Sequence, residues 1–191
     1  MPLNLANSLT ACRVILTPAF VISVIYNRYK IALVIFILAG LTDCLDGLIA
    51  RSMKQKTRFG SILDPLADKL LVVSSFLILS QPDSLLLYRI PSWLTIVIVM
   101  REIILVTGCA VIHMITGRLV INPSLAGKLT MLFHALTIFT VLLCNALQYD
   151  LQSLLTVLYI ITCGITVISG LHYIYLGMQQ TGEVSDQNTQ G

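Results

Sequence analysis

The run TDCLDGLIARSMKQKTRFGSILDPLADK, residues 42–69, places Asp43, Asp46, Asp64 and Asp68 in otherwise apolar surroundings. The whole chain of 191 residues has only nine acidic side chains, so gathering four of them in one short stretch needs a cause. The surroundings are those of lipid: 57% of residues are hydrophobic and 11% charged, against roughly 25% charged in a soluble domain. A carboxylate near the centre of a bilayer costs about 2.5 to 3.5 kcal/mol on insertion scales, so such groups face water or a partner and mark function. The acids therefore decide two things at once: helices carry them, and those helices enclose a polar site.

Outward from this stretch, apolar runs cover roughly 9–26, 31–51, 61–80, 88–115, 124–147 and 151–177, each about the length that crosses a bilayer as a helix. The polar breaks between them fall at 27–30, 52–59, 81–84, 116–123 and 148–150. The expected fold is all-α: a polytopic membrane protein with six transmembrane helices, forming one membrane domain over residues 1–178. Residues 179–191 turn polar and read as a disordered tail. Met1 to Thr10 has neither a basic first region nor a small-residue cleavage site, so the first apolar run is expected to stay in the membrane.

Positive charge accumulates in cytoplasmic loops. With both ends inside, the cytoplasmic breaks hold Lys54, Lys56, Arg58 and Arg118, and the outer ones hold Arg28, Lys30 and Arg89. Tyr88 and Trp93, near the start of the fourth run, suit either an interfacial belt or plain helix contact. The net charge of +3 is too small and dispersed for a nucleic-acid partner. The five cysteines stand singly in apolar stretches, with no metal or redox spacing.

Asp43, Asp46, Gly47 and Ala50 recur at i, i+3, i+4 and i+7, one face of a helix; Gly60, Asp64 and Asp68 recur at i, i+4 and i+8 on the next. The short break between these helices makes them antiparallel neighbours whose acidic faces turn toward each other. Four ionised carboxylates so placed repel, and protons or cations must relieve them. Oxygen donors without histidine or cysteine suit Mg²⁺ or Mn²⁺ rather than zinc. Gly47, Ala50 and Gly60 leave room beside the metals, and Arg51 at the polar helix end is suited to phosphate oxygens. The set fits phosphoryl transfer.

The pattern D-x-x-D-G-x-x-A-R, eight residues, then G-x-x-x-D-x-x-x-D resembles the signature of the CDP-alcohol phosphotransferase family, also called CDP-alcohol phosphatidyltransferases. All eight fixed positions match across 26 residues. LANSLTACRVILTPAF, MREIILVTG and PSLAGKLTM are similar to the family's other segments. The resemblance implies a six-helix membrane enzyme, homodimeric, with its active-site cleft near the cytoplasmic face of a bacterial-type inner or organellar membrane. It implies two metal ions on Asp43, Asp46, Asp64 and Asp68, a CDP pocket of Asp43, Gly47, Ala50, Arg51 and Gly60, and Asp68 as general base. The expected reaction moves a phosphatidyl group from CDP-diacylglycerol to an alcohol, releasing CMP.

Arg101, Arg118 and Lys128 lie at or near the cytoplasmic ends of the fourth and fifth runs and are the candidates for holding a phosphate on the acceptor. Glycerol 3-phosphate is expected first, giving phosphatidylglycerophosphate. Cardiolipin synthesis with phosphatidylglycerol as acceptor is the alternative, then an inositol or serine acceptor. Against the phosphate-binding role, Arg101 can simply pair with Glu102, Arg118 can be a positive-inside anchor, and Lys128 can snorkel. Lys69 can be a counter-ion, and His113, His134 and His172 read as buried, hydrogen-bonded groups. A cation transporter would also hold intramembrane carboxylates, but has no need of Gly47, Ala50 and Arg51 beside them.

Overall fold

Each apolar run forms a helix, the structure in which a segment satisfies its own backbone donors and acceptors. The computed structural model describes the backbone of residues 5–53, 60–82, 85–116 and 125–189, and the side chains of 12–42, 69–82, 85–108 and 125–179. Among the described residues there are six helices and no strands: α1 (Leu5–Ile25), α2 (Tyr29–Met53), α3 (Gly60–Leu79), α4 (Ser92–Thr116), α5 (Leu125–Leu147) and α6 (Gln152–Thr189). α5 and the part of α6 from Gln152 to Gln179 are long and apolar enough to cross a membrane. Cys12–Ile25, Tyr29–Thr42 and Lys69–Leu79 are shorter apolar helical stretches within the described residues.

α1 packs on both α2 and α3, α2 packs on α5, and α4 and α5 both pack on α6. The described parts of α2 and α3 thus share α1 as their main neighbour. The expected apposition of their acidic faces falls on residues 43–68, outside the described side chains.

The turn from α1 to α2 is set by Asn27, whose φ of 57° is left-handed. Asn27 N–H donates to the Val24 carbonyl at 2.9 Å and Arg28 N–H to the Ser23 carbonyl at 2.8 Å, the paired bonds of a Schellman ending. Asparagine tolerates this conformation where most residues resist it.

The fourth apolar run begins at Tyr88 in sequence, yet α4 starts only at Ser92. Pro91 explains the delay, because the residue before a proline is pushed toward extended backbone; the Pro91 carbonyl then accepts from Leu94 and Thr95 as the helix opens. The segment before it, which bends at Leu87 and Tyr88, is held by Asn145 of α5. The Asn145 carboxamide oxygen accepts from Leu87 N–H at 2.8 Å and Tyr88 N–H at 3.3 Å, and its amide donates to the carbonyls of Tyr88 and Val141, both at 2.8 Å. The Tyr88 hydroxyl reaches Asp150 at 2.9 Å; burial first, then this bond and the carboxylate's charge, raise the phenol above its ordinary pKa. Past Gln179 the chain offers no apolar stripe, and the α6 backbone runs on through that polar segment as helix to Thr189.

Many large apolar side chains lie on the outside, and several hydroxyl side chains lie between the helices. Ile15, Leu132, Ile160, Ile168 and Leu171 are each more than 60% exposed, whereas Ser75, Thr130, Thr137, Thr162, Thr166 and Ser169 are buried. Such a pattern suits an apolar surrounding, which gives no reward for burying leucine and leaves helix contacts to small and hydrogen-bonding residues. Phe20, Ala32, Phe76, Leu94, Leu142 and Leu155, one from each helix, form an apolar core with neighbouring side chains.

Candidate active site

Asp43, Asp46, Gly47, Ala50 and Arg51 lie on the backbone of α2, and Gly60, Asp64 and Asp68 on the first part of α3. At 1.5 Å per residue, Asp43 stands about 21 Å along α2 from Tyr29. These positions occupy the C-terminal half of α2 and the N-terminal half of α3. The side chains of all eight lie outside the described ones, and Arg118 lies outside the described residues altogether. Among the described residues no group of three or more His, Cys, Asp or Glu is assembled to hold a metal.

The first described side chain after the aspartates is Lys69, immediately following Asp68. Its ammonium lies 3.0 Å from Glu102 Oε2 on α4. The other carboxylate oxygen accepts a short bond from Arg101 NH1, and Arg101 NH2 donates to Ser169 Oγ of α6 at 3.0 Å. The guanidinium also stands over the Tyr173 ring, 5.7 Å from its centroid. Arg101 and Glu102 are 5% and 6% exposed and the Lys69 side chain 24%, so the cluster runs from inside the bundle to a partly exposed lysine. One carboxylate shared by two cations carries much of the compensation that buried charges require.

Beyond it a polar seam follows α5 and α6. His134 Nε2 lies 3.0 Å from Thr166 Oγ1, the Thr137 and Thr162 hydroxyls meet at 2.9 Å, and Phe76 sets an edge-to-face contact on His134 at 5.4 Å. Its burial and bond to Thr166 make His134 a packing group. A cavity of about 630 Å³ lies at the opposite end of the helices, bounded by Arg28, Lys30, Leu87 and Gln148, and is no part of the aspartate site.

The three acceptor candidates separate. Lys128 is exposed near the start of α5, one residue beyond buried Gly127. Arg101 is enclosed, with both terminal nitrogens taken. Lys69 has the counter-ion partner its position invited. Ser169 and Tyr173, which complete the cluster, are missed by sequence reasoning because 68 residues separate Ser169 from Arg101, and no local spacing announces such a contact.

The family model for CDP-alcohol phosphatidyltransferase matches residues 3–168, a span that includes all four aspartates and Glu102. The chain belongs to the CDP-alcohol phosphatidyltransferase family. Among curated relatives of this transferase, the CDP-diacylglycerol–glycerol-3-phosphate 3-phosphatidyltransferase of Aquifex aeolicus is 33% identical over 178 residues, covering 93% of this chain and 97% of the relative. The enzyme of the same name from Bacillus subtilis is 34% identical over 165 residues, 78% of this chain and 81% of the relative. The CMP-forming cardiolipin synthase of Homo sapiens is 40% identical over 108 residues, 56% of this chain and 34% of the relative. As a family member the chain is a transferase. Its Ser169 and Tyr173 lie just beyond the family-matched span, although they complete the cluster around Arg101.

Proposed function

We propose that this transferase carries the phosphatidyl group of CDP-diacylglycerol to glycerol 3-phosphate, forming phosphatidylglycerophosphate and CMP. The observation that carries this reading is the likeness to the Aquifex aeolicus enzyme, whose name states that donor and acceptor and whose alignment spans nearly all of both chains.

Four carboxylates with no nitrogen or sulfur donor among them are a hard oxygen set, which fits Mg²⁺ or Mn²⁺. Asp43, Asp46, Asp64 and Asp68 would hold two such ions. When bound, the ions supply positive charge against the diphosphate of the donor and its leaving group. Gly47, Ala50 and Gly60 leave space for the CDP moiety, and Arg51 donates to its phosphate oxygens. Asp68 accepts the proton of the acceptor hydroxyl; the freed oxygen attacks the lipid-side phosphorus, the bond to CMP breaks, and no covalent enzyme intermediate forms. Arg118 and Lys128 hold the acceptor's phosphate. Arg101 has its terminal nitrogens on Glu102 and Ser169.

In this reading all six helices cross the membrane, the aspartate end opens on the cytoplasmic side, and two copies form the working homodimer. The apolar exterior supports the spanning helices, the loop lysines and arginines support the orientation, and the dimer follows from the family resemblance. A cleft open to both headgroup water and lipid can admit a diacylglycerol tail and a soluble acceptor together.

Cardiolipin synthesis is the second reading, favoured by the 40% identity to the human enzyme over 108 residues. An acceptor panel separates the two. Purified protein with labelled CDP-diacylglycerol and divalent metal is given glycerol 3-phosphate, phosphatidylglycerol, inositol, inositol phosphate or serine, and the labelled lipid is identified. Label entering phosphatidylglycerophosphate alone is expected; label entering cardiolipin alone moves the assignment to the second reading.

A further inference from the structure

We propose that Glu102 is a positioning residue of this active site, bridging Lys69 and Arg101 so that α3, at the residue following Asp68, is set against α4 and α6. The inference rests on the transfer reaction proposed above.

Among the described residues α3 has its main contact with α1 and slighter ones with α4 and α5, whereas α4 packs broadly on α6 and Arg101 binds Ser169 there without help from Glu102. The contact between α4 and α6 therefore survives the loss of Glu102. The ion pair of Lys69 with Glu102, at 3.0 Å, reaches across the lightly packed seam and ties α3 to that unit. Its position matters because Asp68 precedes Lys69 directly, so fixing Lys69 fixes the rotation of α3 where the base is carried.

Charge gives the second half. Among the described residues Glu102 is the one anion paired with both Lys69 and Arg101, and the side chains of Arg101, Glu102 and Lys69 are 5%, 8% and 24% exposed. A glutamine in its place removes the charge that the ammonium and the guanidinium share and leaves the two cations near each other without it. Their repulsion drives α3 away from α4, whereas removing the ammonium as well removes the push. Glu102 touches neither substrate nor reacting atoms in this account; it acts through the setting of α3.

The test is the set Glu102→Gln, Glu102→Asp, Lys69→Met and the double variant Lys69→Met with Glu102→Gln, each assayed for kcat and both KM values. For Glu102→Gln, kcat is expected to fall at least about tenfold with both KM values within about twofold of wild type. The double variant is expected to run at least about threefold faster than Glu102→Gln alone, because the unopposed charge is gone. Glu102→Asp, one methylene short of spanning both cations, is expected between wild type and glutamine.

A Glu102→Gln protein with wild-type kcat, or a double variant no faster than Glu102→Gln, overturns the proposal. Wild-type protein that makes no product with any acceptor defeats the transfer reading instead. The bridge is then judged by thermal unfolding of the same variants: non-additive effects at positions 69 and 102 support it, and additive effects overturn it.

Discussion

The guanidinium of Arg101 and the hydroxyl of Ser169 meet at 3.0 Å, joining α4 to α6 with a charged donor inside a bundle whose outer surface is apolar. Interhelical hydrogen bonds in membranes average well under what burial alone implies, because the unfolded chain in lipid also finds partners. Ser169→Ala is therefore expected to lower stability by only about 1 to 2 kcal/mol, the upper figure reflecting the charged donor left behind. Thermal unfolding in detergent measures it, with Ser74→Ala as the comparison, since Ser74 bonds only to backbone carbonyls of its own helix.

Asn145 serves four backbone groups at once, two of them donors in the segment that leads to α4. Asn145→Leu keeps the number and branching of side-chain heavy atoms and removes every one of these bonds, leaving the Leu87 and Tyr88 N–H groups and the Tyr88 carbonyl without this partner. A loss of about 2 to 3 kcal/mol is expected. Proteolysis within residues 80–91 should quicken in parallel, because that connection loses its anchor; an unchanged cleavage rate would show that the α3–α4 connection is held elsewhere.

Asp68→Asn should abolish turnover while the protein remains folded, since the change removes a proton acceptor and one charged metal donor but little volume. A drop of at least about 10³-fold in kcat is expected. Rates close to wild type in this variant would take the base assignment away from Asp68.

Arg118→Ala and Lys128→Ala should each raise the KM for glycerol 3-phosphate by about tenfold and leave the KM for CDP-diacylglycerol within about twofold, because each removes one phosphate contact on the acceptor side. An unchanged acceptor KM would return the residue to a membrane anchor.

Much of this molecule is legible from residue pattern, for identifiable reasons. Apolar runs mark where the helices lie: the run at 124–147 and α5 at Leu125–Leu147 differ by one residue, whereas α6 continues to Thr189, past the run at 151–177, because helix can run on through polar residues. Hydropathy fails where apolar residues are not helical. Leu85 to Tyr88 read as the approach and start of a span, but their backbone is bound by Asn145, a partner 57 residues ahead of Tyr88. The pairing of Arg101 with Glu102 is legible because it is adjacent in sequence. That Lys69 and Ser169 join the same cluster is not, because it depends on which helices touch, and similar apolar spans carry little information about their neighbours. The charge of Arg101 marked it as a phosphate contact; of its neighbours Glu102, Ser169 and Tyr173, the two from α6 are not marked by any local spacing.

The most direct test of the account is the product balance in one reaction containing purified protein, CDP-diacylglycerol, glycerol 3-phosphate and Mg²⁺, with CMP quantified and the lipid identified by mass. The account predicts CMP and phosphatidylglycerophosphate in equal amounts, and neither in the Asp68→Asn protein. CMP without phosphatidylglycerophosphate, or equal yields from the wild-type and Asp68→Asn proteins, would contradict it.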